Sequence, residues 1–190
     1  MNSHKSQVTS HKSGREEKIL IAGFGGQGIV FLGNVIAQAA NLENKHVAYI
    51  RSYGAEMRGG TAHCMVKISD KEISSPIFKN ATVAFIMNRP SLNKFKNKIE
   101  KNGVLIVNTA LTAKTPSSRR PGIKKMNLSA KAIELGSIKV ANIIGLGLAL
   151  RKRLFVRLSS VERALIGVFK DKEDLLKLNL KALRLGYKNG

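Results

Sequence analysis

Two glycine-rich turns hold the residues whose types and spacing could do chemistry. Gly23-Phe24-Gly25-Gly26-Gln27-Gly28 follows the apolar run Ile19-Leu20-Ile21-Ala22, and Ser52-Tyr53-Gly54-Ala55-Glu56-Met57-Arg58-Gly59-Gly60 follows Val47-Ala48-Tyr49-Ile50. A strand, a glycine turn and a helix make a seat for phosphate, because N–H groups at the helix start point at the ligand and absent side chains let it approach. The candidate binding residues are therefore Gly23, Gly25, Gly26, Gln27 and Gly28 in the first turn, and Ser52, Tyr53, Glu56, Arg58, Gly59 and Gly60 in the second. The second turn falls where the next strand of such a unit ends, on the same sheet edge, so the two define one site or one interface. Arg58 can grip a carboxylate or phosphate through two parallel hydrogen bonds, or pair with Glu56 to fix the loop. Both readings stay open on the residues alone.

Gly23, Gly25 and Gly28 have the spacing of a dinucleotide fingerprint. That fingerprint also needs an acid at the end of the second strand to hold a ribose hydroxyl. Arg51 and Ser52 stand there instead, which argues against NAD. A cation there suits a 2′-phosphate, so an NADP-dependent reductase is one alternative, and glycines used only for helix–strand packing are another. Nothing else supplies catalysis or a metal site. His4, His11, His46 and His63 lack metal-ligand spacing, and the chain has neither a G-x-x-x-x-G-K-[ST] loop nor a serine nucleophile elbow. The single cysteine, Cys64, cannot form an internal disulfide or a four-cysteine cluster. In a strand over residues 61–68 it faces the side opposite His63 and reads as a buried structural thiol.

The elements that position these turns follow from the apolar pattern. Strands are expected at 18–22, 46–50, 61–68, 82–87 and 103–107, with a short one at 123–126. A helix over 28–40 carries Ile29, Leu32, Val35, Ile36 and Ala39 on one face. A second helix starts near Pro90 with Asn88 as its cap, a buried stripe of Leu92, Phe95 and Ile99, and Gly103 just past its end. Helices at about 129–135, 138–153, 160–169 and 172–186 make up the C-terminal third, and Ser159 with Glu162 has capping-box spacing. The expected fold is α/β: a three-layer, Rossmann-like domain over residues 18–190 with a mainly parallel central sheet.

Residues 1–17 read as a disordered basic tail, without the apolar stretch of a secretion signal. The longest apolar run, residues 140–150, is interrupted by Asn142 and falls short of the roughly 20 residues that span a bilayer. The expected location is the cytoplasm, with no membrane partner. Net charge is +21, from 33 basic and 12 acidic residues. That balance admits a nucleic-acid-binding protein, a polyphosphorylated small ligand or an acidic protein partner. Aromatic residues are only 5% and no recognition motif is present, which weakens the nucleic-acid reading.

The two turns, in this order, resemble the gamma subunit of 2-oxoacid:ferredoxin oxidoreductases. The likeness extends through Ile68-Ser69-Asp70 with Ser75-Pro76, Val104-Leu105-Ile106-Val107-Asn108, Ala141-Asn142-Ile143-Ile144-Gly145-Leu146-Gly147 and the closing helix at Asn179-Leu180-Lys181-Ala182-Leu183-Arg184-Leu185-Gly186. Position 55 is Ala where Pro is common in that family, and His63 replaces a small polar residue. The resemblance implies a subunit inactive by itself. Sibling alpha and beta subunits would carry thiamine diphosphate and iron–sulfur clusters, a ferredoxin-like delta subunit would be a further partner, and ferredoxin would accept the electrons. It also implies a surface associated with coenzyme A, for which Arg58, Lys114, Arg119 and Arg120 are candidates by charge. The wording Glu56-Met57-Arg58-Gly59-Gly60-Thr61-Ala62 resembles the 2-oxoglutarate or branched-chain members of the family.

Overall fold

A computed structural model describes residues 16–52, 62–111 and 122–190. In chain order these form β1 (Glu16–Gly23), α1 (Ile29–Asn41), β2 (His46–Ser52), β3 (Ala62–Ser69), β4 (Ala81–Ile86), α2 (Arg89–Phe95), β5 (Ile99–Asn108), β6 (Ile123–Met126), α3 (Leu128–Glu134), α4 (Ala141–Lys152), α5 (Leu158–Val168) and α6 (Glu173–Lys188). The strands make one sheet in the order β2-β3-β1-β4-β5-β6. Five strands run in one direction, and β3 alone is reversed, wedged antiparallel between β1 and β2.

Period-two alternation sorts the strand residues. Ile19, Ile21, Val83, Phe85, Val104 and Ile106 enter the core on one face, while Leu20, Ala22, Ala84, Ile86, Leu105 and Val107 enter a smaller core on the other. Both sets are buried, which is why these strands read as unbroken apolar runs. The first face is covered by α1, α4, α5 and α6; among the described residues the second is covered by α2, through Leu92 and Phe95. The three layers are therefore unequal in thickness.

Helix α4 is buried along Ala141 to Leu150 because the sheet lies under it and α6 crosses over it. The crossing is a backbone-to-backbone approach. A Cβ on Gly147 would collide with the Leu183 carbonyl, and one on Gly186 with the Ile144 carbonyl.

Three expectations need correction. Helix α2 stops at Phe95, and Ile99 opens β5 opposite Ala81, so Gly103 lies inside a strand. The Ala81 N–H already donates to the Lys98 carbonyl at 2.9 Å, and this sheet bond ends the helix before Ile99 can join its stripe. The helix foreseen over 138–153 is divided into a 3-10 turn, Ile138–Val140, and α4. The Ser159–Glu162 capping box does not form. Arg157 is the N-cap of α5, which puts Ser159 inside the helix, and Glu162 accepts from Arg184 Nε of α6 at 2.8 Å.

The thiol is structural, as its neighbours indicate. Cys64 Sγ lies under α1, donating to the Ile29 carbonyl at 3.4 Å, while His63 faces the other side with its ring 5.0 Å from Phe95. Burial, reinforced by Lys94 and Lys98, holds the His63 imidazole below its usual range. Burial pushes the Cys64 thiol up from 9.0 to about 12. Beside it, burial together with Cys64 pushes Tyr49 from 10.0 to about 12. Among the described residues, no helix is long and apolar enough to cross a membrane.

Both shifts favour the neutral, protonated groups in the folded chain. Their stabilisation is complete below the unfolded values and declines as pH rises from about 9 through 12. The urea midpoint is therefore expected to fall from pH 8 to pH 11, and to fall less in Cys64→Ala. At pH 8 the native thiol should resist a disulfide reagent until urea unfolds the chain; free-thiol reactivity in the native state would contradict the burial.

Candidate docking and anion-binding edge

The chain leaves β1 through α1 and returns as β2 on one side of it, beyond β3, whereas β4, the neighbour of β1 on the opposite side, continues through α2 to β5. The carboxyl ends of β1 and β4 thus diverge. In open α/β sheets a ligand lies in the crevice made by this reversal. The turn over residues 23–28 sits there. Gly26 and Gly28 have φ of 85° and 70°, a left-handed backbone that favours glycine. Gly28 is the N-cap of α1, so no side chain stands between the helix start and a ligand. At Gly25 and Gly26 a Cβ would meet nothing within 4 Å, so the crest of the turn is open.

Polar side chains hold the turn from beneath. Gln27 Oε1 accepts from the Phe24 N–H at 2.7 Å, and Gln27 Nε2 donates to the Met87 carbonyl at 3.3 Å. Asn88 caps α2 by accepting from the Ser91 N–H at 2.9 Å. Asn108, at the end of β5, donates to Ser129 Oγ at 2.9 Å and ties the strand to α3. Asn142 Nδ2 donates to the Gly28 carbonyl at 3.0 Å, and its Oδ1 accepts from the Ile143 N–H at 2.8 Å. A Cβ on Gly28 would strike Asn142 Nδ2, so this glycine is required by contact as well as by φ.

Two adjoining cavities of about 300 and 310 Å³ flank the turn. Both include Gly26 and Lys139 in their lining; one reaches Asn108 and Ser129, the other Gly28, Phe31 and Asn142. Lys139 is exposed, in the 3-10 turn before α4. The rim is apolar and solvent-facing, with Leu111 44%, Ile138 51% and Leu175 45% exposed. Helix-start N–H groups with a nearby ammonium suit an anion, and exposed large apolar side chains around them suit a partner surface.

The residues expected from the sequence fall into two groups. Gly23, Gly25, Gly26 and Gly28 form the turn, and Gln27 braces it from within. Ser52 ends β2 opposite His63, next to the point where Ala62 pairs with Gly23, so it lies at the same sheet edge. Tyr53, Glu56, Arg58, Gly59 and Gly60, and the cations Lys114, Arg119 and Arg120, lie outside the described residues. Lys139 and Asn142 were not identified as site residues from the sequence. Asn142 left one signal, a lone polar residue in an apolar run; Lys139 left none, because the glycine turn that shares its cavities is distant in sequence.

Asn142→Ala removes one hydrogen bond to a shared carbonyl and one to a helix N–H. The expected loss is about 1–3 kcal/mol in urea denaturation, with faster hydrogen exchange in residues 24–31 than in β4. An unchanged midpoint would contradict a clamping role.

A family profile described as pyruvate ferredoxin/flavodoxin oxidoreductase matches residues 18–189. The chain is 33% identical over 175 residues to ketoisovalerate oxidoreductase subunit VorA of Methanothermobacter marburgensis, covering 90% of this chain and 36% of that one. It thus spans about a third of the length of that relative. Its fold is similar to the keto/oxoacid ferredoxin oxidoreductase gamma subunit from Geobacter sulfurreducens PCA, with TM-score 0.77 and 28% identity over 90% of this chain and 96% of that one. It is also similar to the 2-oxoglutarate:ferredoxin oxidoreductase of Magnetococcus marinus, solved with 2-oxoglutarate, coenzyme A and succinyl-CoA bound. There the TM-score is 0.79 and the identity 25%, covering 91% of this chain and 30% of that one. The glycine turn at the strand reversal is therefore carried by a chain that belongs to the pyruvate ferredoxin/flavodoxin oxidoreductase family.

Proposed function

We propose that this chain is the gamma-type subunit of a coenzyme A-acylating 2-oxoacid:ferredoxin oxidoreductase, with 2-oxoglutarate or a branched-chain 2-oxoacid as substrate. One observation carries the reading: in a chain of this family, the open glycine turn lies at the strand reversal beside Lys139 and an exposed apolar rim. In this reading, sibling subunits hold the thiamine diphosphate on which the 2-oxoacid is decarboxylated and the iron–sulfur clusters that lead to ferredoxin. The residues of this chain do not fit a cluster, because Cys64 is its one thiol and lies buried under α1.

The work left to this chain is binding and orientation. The rim formed by Leu111, Ile138 and Leu175 gives a sibling subunit apolar surface to cover. Lys139 and the N–H groups at the start of α1 favour the phosphates of coenzyme A, and the bare crest at Gly25 and Gly26 leaves room for them. The Magnetococcus relative, bound to coenzyme A and succinyl-CoA, supports an acyl-transfer role. The 2-oxoacid preference rests on that relative and on the ketoisovalerate name of VorA.

Co-expression with the thiamine-diphosphate and iron–sulfur subunits should yield a complex that reduces ferredoxin with 2-oxoglutarate or 2-oxoisovalerate, while the isolated chain does neither. Ile138→Asp should cut complex recovery about tenfold while the free chain keeps its circular dichroism. Full assembly of Ile138→Asp, or oxidation of a 2-oxoacid by the chain alone, would overturn the proposal.

A further inference from the structure

At the end of the sheet opposite the glycine turn, a polar cleft of about 560 Å³ opens between the start of β1, the turn over residues 42–45 and the segment entering α5. Three carboxylates border it, and each is already engaged. Glu17 accepts from Arg153 Nε and from Thr82 Oγ1, both at 2.7 Å. Glu43 accepts from the Arg157 N–H at 2.6 Å, and Asp70 pairs with Lys45 at 3.7 Å.

What remains in the cleft is an excess of donors. Arg157 and Arg163 both line it, and neither guanidinium has an ion-pair partner among the described residues. Ser160 lines it too; only 5% exposed, its hydroxyl has no hydrogen-bond partner among the described residues. Helix α5 begins here with no side-chain cap and no acidic residue in its first turn. Glu43 occupies the N-cap N–H, which leaves those of Leu158 and Ser159 without an acceptor inside the helix. An unpartnered hydroxyl on a buried serine, two exposed guanidiniums without an ion-pair partner among the described residues and a helix start all line this cleft, and each of them favours an anion.

We propose that this cleft binds a phosphate monoester, with the phosphate on the first turn of α5 against Ser160 and Arg163. The cleft is larger than one phosphate needs, and Asn44 and Asp70, in the turn before β2 and just after β3, are acceptors suited to hydroxyl groups on the rest of the ligand. The site lies at the amino ends of the parallel strands, so it is separate from the glycine-turn edge and does not depend on its function.

The test is a nitrogen-15 NMR titration of the full chain with inorganic phosphate and with glycerol 3-phosphate, at constant ionic strength. Saturable shifts are expected in residues 43–45 and 158–163, with glycerol 3-phosphate binding more tightly. Ser160→Ala and Arg163→Gln should each weaken binding about tenfold while leaving the rest of the spectrum unchanged. Arg163 is exposed, so its variant keeps the native fold even if Ser160→Ala does not. Tighter binding of inorganic phosphate alone would leave a bare phosphate site and overturn the monoester. Shifts confined to residues 23–31 and removed by Lys139→Gln, or the absence of saturable shifts at millimolar ligand, would overturn the cleft as a site.

Discussion

The carbonyl of Gly28 is the point on which the glycine edge depends. It accepts from the Leu32 N–H at 2.9 Å, closing the first turn of α1, and from Asn142 Nδ2 at 3.0 Å, which fastens that turn to the start of α4. One oxygen therefore sets the pose of two helices. Asn142 is itself buried at the start of α4, and a buried amide without partners is costly, so the Gly28 carbonyl and the Ile143 N–H satisfy it in turn. The left-handed φ of Gly28 aims the carbonyl, and the missing Cβ makes room for the amide.

Two further asparagines repeat this arrangement along the same edge. Asn88 joins the end of β4 to α2, and Asn108 joins the end of β5 to α3. Gln27 bridges the glycine turn to Met87 beyond β4. Every strand end at the crevice is thus fixed by an amide side chain, and the turn can present bare backbone without collapsing onto it. Such an edge is preorganised: a partner or anion that binds it does not have to order it first.

The sequence made the apolar framework legible. Residues 18–22 and 82–87 read as buried strands because both faces of the sheet are covered, and the helix over 28–40 read clearly because Leu32, Val35, Ile36 and Ala39 meet a single core. Other features depend on contacts that no local pattern encodes. Ile99 fits a helical stripe, yet the Ala81 N–H claims the neighbouring Lys98 carbonyl for the sheet. Glu162 has capping spacing, yet Arg184 on another helix takes its carboxylate. The reversed β3 was equally illegible as to direction, since an alternating strand reads the same either way. The site suffered most, because Asn142 and Gly28 lie 114 residues apart and Gln27 and Met87 lie 60 apart. The glycines were visible as a motif, but the amides that hold them and the lysine beside them were not.

The central claim is that the glycine-turn edge is the surface this chain offers to the subunits that do the chemistry. Hydrogen–deuterium exchange, comparing the free chain with the assembled complex, tests it most directly. Slowed exchange in residues 24–31, 109–111 and 138–142 on assembly is the predicted result. Protection confined to α2, or to the cleft at the start of α5, with the glycine turn exchanging as in the free chain, would contradict it.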